Sequence, residues 1–252
     1  MKRRSFLQGL PALGIAGMAA RSRAFALGTA GKVDVAEIQL PSGTISRPEA
    51  WKRLLFEVID TTSVDAEPRA IPLAPDDPKL FDHPFAVLCG DGALPPLTDA
   101  ARQQLVRYLS YGGFLLVDDA TGTLESDFDK SARRMITDLF PTRPLETLSD
   151  KHSVYRSFFM ISEPTGRIGL THVLEGVAHG STDPLIYSRN DISGALDRRP
   201  DGSDRLPCTP GGESQRREAV KLAVNLVIYA LTSNYKQDQA HVNELMREGR
   251  LE

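Results

Sequence analysis

Short, continuously apolar runs alternate along this chain with longer stretches whose apolar residues recur at helical spacing. Residues 85–89 and 114–117 are two such runs. Apolar residues spaced by four lie between them: Leu97, Ala101, Leu105 and Leu109. A continuous apolar run is typical of a strand buried on both faces, and a spacing of four is typical of an amphipathic helix. The pattern therefore predicts a strand, a helix and a second strand, a unit that joins parallel strands.

Similar patterns predict the remaining secondary structure. Strands are predicted at residues 33–40, around 70–71, and at 145–148, 173–177 and 184–188, with 145–148 as a short edge strand. Three helices are predicted to begin near Pro48, Ser126 and Glu213, the last of them ending near Leu231. Helix starts carry capping signals at Thr98, at Ser126, and at Ser46 with Glu49 in a capping box. A loop with a short helix is expected at 150–159 and a long surface loop at 196–212.

The chain of 252 residues is long enough for one large domain with a substantial core. No internal repeat or low-complexity block divides it. Strands alternating with helices indicate an α/β fold with a mainly parallel sheet. The predicted organisation is an export signal at residues 1–26, a single α/β domain at 27–232 and a polar C-terminal tail at 233–252.

The first 26 residues have the features of a twin-arginine signal peptide. Paired arginines, Arg3 and Arg4, are followed by Phe6 and Leu7, and a mild apolar run covers residues 10–20. That run is too short for a bilayer, which needs about 20 residues. Residues 24–26 have the small-x-small form of a cleavage site. We therefore expect a periplasmic protein, and no later stretch of the mature chain is apolar and long enough to span a membrane.

The charge balance argues against a nucleic-acid partner. The chain has a formal net charge of −3, and residues 1–26 contain five basic and no acidic residues, so removing them lowers the charge to −8. Nucleic-acid binders normally show a basic face or stripe.

Cys89 and Cys208 are the only cysteines. An oxidising periplasm would allow them to form a disulfide. Cys89 lies within an apolar run, which favours a buried small hydrophobic residue instead.

Polar residues follow two predicted strands of the sheet. Asp118 and Asp119 come directly after the run at 114–117, and Arg189, Asn190 and Asp191 follow the strand at 184–188. In open α/β sheets, ligands bind at the carboxyl ends of strands, so these residues are candidates for a site. Adjacent residues on a strand point in opposite directions, so only one of the two aspartates is expected to face a pocket. The carboxylates can bind a cation, act as acid and base, or cap nearby N–H groups.

His152 and Arg156 are further candidates. His152 can serve as a metal ligand or general base, or have neither role, and Arg156 follows it by one helical turn. Arg189 can either pair with one of the aspartates or hold an anionic ligand. Asn225, within the apolar part of the last helix, is expected to satisfy buried backbone groups.

Several motifs together resemble the bacterial domain-of-unknown-function family 4159 (DUF4159). They are residues 112–119, His152 with Phe158 and Phe159, residues 187–191, and residues 225–231. The resemblance covers about residues 33–231. That family is similar to the class I glutamine-amidotransferase-like fold, which implies a flavodoxin-like, mainly parallel sheet flanked by helices.

The resemblance also carries a departure. Amidotransferases of this fold place a cysteine nucleophile on the turn after the strand that here ends at Val117. This chain has Asp118, Asp119 and Ala120 there, so amidotransferase activity is not expected. The chain also lacks a glycine-rich phosphate loop, a zinc-spaced Cys/His cluster and a G-x-S-x-G elbow.

We therefore expect an exported binding or interaction protein on a degenerate amidotransferase-like scaffold. Its polar strand-end cleft would be lined by Asp118, Asp119, His152, Arg156, Arg189, Asn190 and Asp191. The partner would be a small molecule or an envelope protein. The sequence indicates no cofactor, and it leaves open whether a divalent metal binds. The alternative is a metal-assisted hydrolase acting on a sugar or cell-envelope substrate. Convergent carboxylates and imidazoles would favour the hydrolase, and carboxylates already paired with arginines would favour a structural or binding role. A purely structural subunit of an envelope complex would instead show a large exposed apolar patch.

Overall fold

The computed structural model describes residues 32–247, with side chains described for residues 32–233. The strands are β1 (Val33–Ile38), β2 (Ala66–Leu73), β3 (Phe85–Gly90), β4 (Phe114–Asp119), β5 (Glu146–Thr147), β6 (Glu175–His179) and β7 (Thr182–Ser188). The α-helices are α1 (Pro48–Thr61), α2 (Asp99–Ser110), α3 (Asp127–Leu139), α4 (Ile192–Leu196) and α5 (Gly212–Arg247). Short 3₁₀ helices cover Pro78–Asp82 and Ser153–Arg156. The predicted signal peptide lies outside the described residues.

All seven strands form one sheet in the order β2-β1-β3-β4-β7-β6-β5. The first five strands in this order are parallel, and β6 and β5 are added in antiparallel fashion. The predicted α/β fold with a mainly parallel sheet is confirmed, and the sheet with its flanking helices fits a flavodoxin-like fold. Among the described residues, no helix is long and apolar enough to cross a membrane.

The central strands are buried on both faces. Phe114 and Leu116 of β4 belong to the core beneath α1 and α5, whereas Leu115 and Val117 belong to the core beneath α2 and α3. This two-sided burial is the physical reason for the continuous apolar run in the sequence.

Local signals in the sequence account for most element boundaries. Thr98 accepts a hydrogen bond from the Ala101 N–H and caps α2, and Ser126 caps α3 in the same way. Gly112 lies two residues after the end of α2 and has φ 98°. Glycine adopts this left-handed conformation without strain, so it allows the chain to leave the helix. The last helix continues beyond Leu231 to Arg247, into the predicted polar tail.

The predicted capping box of α1 is wrong. Arg47 is the N-cap residue and makes no side-chain cap bond. Ser46 instead donates to the buried carboxylate of Glu37 at 2.6 Å, and the Arg47 N–H donates to the same group. The Glu37 carboxylate also accepts from the indole N–H of Trp51, so three donors satisfy this buried group. The Ser46 hydroxyl is therefore engaged by Glu37 and does not cap α1.

The two edges of the sheet are both unusual strands. The edge strand β2 contains Pro68 and Pro72, and the opposite edge, β5, has only two residues. The carbonyl of Leu73 points towards β1, where it accepts from the Gln39 N–H. Because successive residues of a strand direct their backbone groups to opposite sides, the nitrogen of Pro72 points away from the sheet.

Candidate functional site

The carboxyl ends of β1, β3, β4 and β7 meet at one edge of the sheet. The strands β2 and β3 lie on opposite sides of β1, so the strand order reverses direction between β1 and β3. In such sheets a ligand is expected in the crevice outside the carboxyl ends of these two strands. The loop after β1 closes this crevice. The Gly43 carbonyl accepts from the N–H groups of Asp91 and Gly92, and the Ile45 N–H donates to the Cys89 carbonyl at 2.9 Å.

Asp118 and Asp119 lie on opposite sides of the sheet, as the sequence predicts. Asp118 faces α4, where its carboxylate accepts from the N–H groups of Ile192 at 2.9 Å and Ser193 at 2.8 Å. Burial and the nearby charge of Asp191 raise the pKa of Asp118 to about 6, against the opposing effect of these hydrogen bonds.

Asp191 occupies the centre of the same cluster. Its carboxylate pairs with the guanidinium groups of Arg47 and Arg167, and it accepts from the Gly194 N–H at 2.9 Å. Its φ of 54° places it in the left-handed region, which aspartate tolerates better than most residues. Asp191 therefore caps α4 while two arginines balance its charge.

Cys89 and Ser193 complete this arrangement. The Cys89 Sγ and Ser193 Oγ atoms lie 3.0 Å apart, and Sγ is 3.9 Å from the Asp118 carboxylate. Burial and the charge of Asp118 raise the pKa of the Cys89 thiol well above its usual range. Both Cys89 and Cys208 are free thiols, so the disulfide that the sequence allowed is not formed. We call these residues the α4 cluster: Arg47, Cys89, Asp118, Arg167, Asp191 and Ser193.

Asp119 faces α3 on the other side of the sheet. Its carboxylate accepts from the Thr121 N–H and hydroxyl at 2.8 and 2.6 Å, and from the Ser126 hydroxyl at 3.0 Å. The Tyr187 hydroxyl lies 3.4 Å away. These bonds hold the turn that leads into α3, and the carboxylate is completely buried.

The residues after β7 also make internal contacts. Arg189 lies 3.7 Å from Glu175 of β6 and pairs with neither aspartate of β4. The Asn190 side chain accepts from the N–H groups of Leu170 and Thr171 and donates to the Thr171 carbonyl. Asn190 therefore fastens the loop before β6 to the end of β7.

His152 and Arg156 lie away from this edge. The His152 ring bonds Asp183 at 2.8 Å, near the amino end of β7. Asp183 lies five positions before Ser188 at the carboxyl end, which corresponds to about 17 Å along a strand. Arg156 is exposed and donates to the Asp150 carbonyl at 3.3 Å. The predicted assembly of all seven candidates in one cleft is not formed, because the loop holding His152 packs on the opposite end of the sheet.

The strand-end carboxylates are occupied by donors rather than arranged around a cation. Among the described residues, no group of three or more His, Cys, Asp or Glu side chains could hold a metal ion. The cluster contains four residues outside the predicted set: Arg47, Cys89, Arg167 and Ser193. Arg47 follows β1 and so ends at the same edge as Asp118, a signal that was available in the order of the predicted elements. Arg167 lies in a loop without any pattern that identifies it.

Comparison with known families places the chain in context. A family profile described as "Domain of unknown function (DUF4159)" matches residues 34–231. None of the curated proteins compared with the chain matches it.

Proposed function

Because the chain belongs to the DUF4159 family, whose description assigns no activity, we propose its function from its geometry: an exported protein that binds or interacts without catalysing a reaction. One observation carries the proposal. Every carboxylate at the carboxyl edge of β4 and β7 is buried and already accepts hydrogen bonds from this chain. A general base or a metal ligand needs a lone pair that faces its substrate or ion.

We further propose that the scaffold is a degenerate amidotransferase-like one. The strand order and the carboxyl end of β4 support this, since Asp118 and Asp119 end that strand where such enzymes have a nucleophile. Cys89, on the neighbouring strand, does not replace it. Its thiol is completely buried with a raised pKa, whereas nucleophilic cysteines are partly exposed and have a lowered pKa.

Export by the twin-arginine pathway is part of the same proposal. It rests on Arg3, Arg4 and the apolar run that follows them. Replacing both arginines by lysine keeps the charge but removes the paired-arginine signal. We expect the wild-type chain in the periplasmic fraction and the double variant in the cytoplasm, and a periplasmic double variant would refute this route.

Native mass spectrometry of the protein purified from periplasm without chelators tests the function. We expect a bound small molecule or a partner protein, and no stoichiometric metal. A stoichiometric divalent metal in the wild type would overturn the proposal and favour the metal-assisted hydrolase of a sugar or cell-envelope substrate. A bare chain in every preparation would also contradict the binding proposal.

A further inference from the structure

A groove of about 260 Å³ lies between the outer faces of α1 and α5, away from the strand-end cluster. Arg53, Glu57 and Thr61 form the α1 wall at a spacing of four residues, which keeps them on one helix face. The α5 wall includes Arg217 and Lys221 at the same spacing. The two helices therefore present facing rows of charged side chains.

The side chains that line the groove include more cations than acids. Its lining contains four cations and two acids: Arg53, Arg216, Arg217 and Lys221 against Glu57 and Glu213. The acids lie beside cations that are already in the groove, Glu57 at 3.9 Å from Arg53 and Glu213 at 3.0 Å from Arg216. Lys221 pairs with Glu218 at 2.8 Å on the surface of α5. Arg217 is exposed and forms no ion pair with any residue in the part of the chain whose side chains are described.

Behind the groove, three arginines share one carboxylate. Arg53, Arg198 and Arg216 lie 2.8, 3.8 and 3.2 Å from the Asp204 side chain. Burial and the like charge of Arg198 lower the pKa of Arg53. Within the described chain, the buried Nε atoms of Arg53 and Arg198 have no hydrogen-bond acceptor. Glu57 and Glu213 flank two of the same arginines, so this side of the groove is close to neutral and the excess charge is at Arg217.

Apolar side chains form the rest of the groove. Val220 and Val224 come from α5, and Phe159 reaches the groove from the loop before β6. Phe159 is held in place because Asn225 accepts its backbone N–H at 2.7 Å and donates to its carbonyl at 2.8 Å. These bonds fix the backbone of Phe159 beside the charged walls.

We propose that this groove binds a small organic anion, with one carboxylate or phosphate group joined to a compact apolar body. The anionic group contacts Arg217 and Lys221 at the mouth and faces Arg53 across the groove, and the apolar body lies on Phe159 and Val220. The volume is slightly below the range of about 300–1,000 Å³ for sites of drug-sized ligands, which limits the body to about one ring. This inference rests on the proposed binding function and names where the ligand is held.

Isothermal titration of the exported protein with three probes tests the groove: phenyl phosphate, benzoate and inorganic phosphate. We expect saturable binding of phenyl phosphate or benzoate, and the tighter of the two identifies the anionic group. Inorganic phosphate should bind about tenfold more weakly, because it lacks the apolar contact, and a factor of ten corresponds to about 55 Å² of buried apolar surface.

The decisive variant is Arg217→Gln with Lys221→Gln, since both side chains are on the surface of α5 and neither is needed for the core. We expect at least about a tenfold loss of affinity for the tighter probe. Lys52→Gln with Arg102→Gln is the matched control, with the same change of net charge on exposed positions outside the groove. It should bind within a factor of about two of the wild type.

Three results would overturn the groove: no binding of any probe by the wild type, binding unchanged in the groove variant, or an equal loss in the control, which would mean a bulk charge effect. Circular dichroism of each variant verifies folding. If the groove fails while native mass spectrometry shows another bound molecule, the binding function stands and only its location is wrong. A stoichiometric metal in the wild type would overturn the function whatever the groove does.

Discussion

Replacing Asp191 by asparagine removes one buried negative charge and almost nothing else. Asparagine has nearly the same shape, keeps an oxygen that can accept from the Gly194 N–H, and tolerates the left-handed backbone. The change leaves Arg47 and Arg167 facing a neutral group. It therefore isolates the role of charge in holding α4 against the carboxyl edge of the sheet.

The expected cost follows from how deeply each partner is buried. Removing one member of a buried ion pair costs about 3–5 kcal/mol, because the partner is left uncompensated. The Asp191 side chain is 0% exposed, but those of Arg47 and Arg167 are 12% and 18% exposed, so water can partly compensate the two guanidinium groups. Removing Asp191 also relieves its repulsion of Asp118, which should lower the pKa of Asp118. We expect a net loss of about 2–4 kcal/mol in the free energy of unfolding.

Urea unfolding at pH 7, followed by circular dichroism, measures this loss. Asp201→Asn is the control, because it makes the same chemical change in an exposed loop turn and should leave stability unchanged within error. A change below about 0.5 kcal/mol would refute the view that Asp191 holds the structure together. An increase in stability would be more informative still, because residues kept for a function often cost stability.

Three further predictions follow from the described contacts. The pKa of Asp118 is raised to about 6 in the folded chain, so between pH 4 and 6 this group binds a proton more readily folded than unfolded. Its own contribution should stabilise the protein by about 2–3 kcal/mol as pH falls from 7 to 4. An unchanged pH slope in Asp118→Asn would contradict this. Gly90→Ala should lower the melting temperature markedly, since an added Cβ overlaps the Gly43 carbonyl oxygen and only a shift of the backbone relieves it; calorimetry showing no change would contradict it. Asn225→Leu should lower the free energy of unfolding by about 3 kcal/mol or more, because four hydrogen bonds to backbone groups are lost. Urea unfolding measures this loss, and a near-neutral result would mean that water replaces the lost bonds.

The sequence predicts the fold well because periodic burial leaves a direct signal. The runs at 85–89 and 114–117 are strands of the sheet centre, and the capping residues Thr98 and Ser126 mark real helix starts. The role expected of Asn225 is also confirmed, since its amide bonds four backbone groups. These features depend on residues close in sequence or on burial alone.

The candidate site is predicted less completely, because it depends on packing between distant segments. The sequence places Asp118 and Asp191 at the correct edge, since each follows a parallel strand. It does not show at which end of the sheet a loop packs, so His152 is assigned to the wrong end. It also does not show that Arg47 and Arg167 meet at Asp191. The Arg47–Asp191 contact joins loops that are more than a hundred residues apart in the sequence.

The unusual edges of the sheet have a consequence for self-association. An exposed strand edge is a template for another chain, and long, flat edges promote growth into fibres. Here Pro72 removes a donor from the outer side of β2, and β5 offers only the two exposed residues Glu146 and Thr147. Neither edge can accept a long partner strand. Contacts between copies of this chain are therefore expected to form through helical faces, and crowding should not drive the protein towards cross-β aggregates from its folded state.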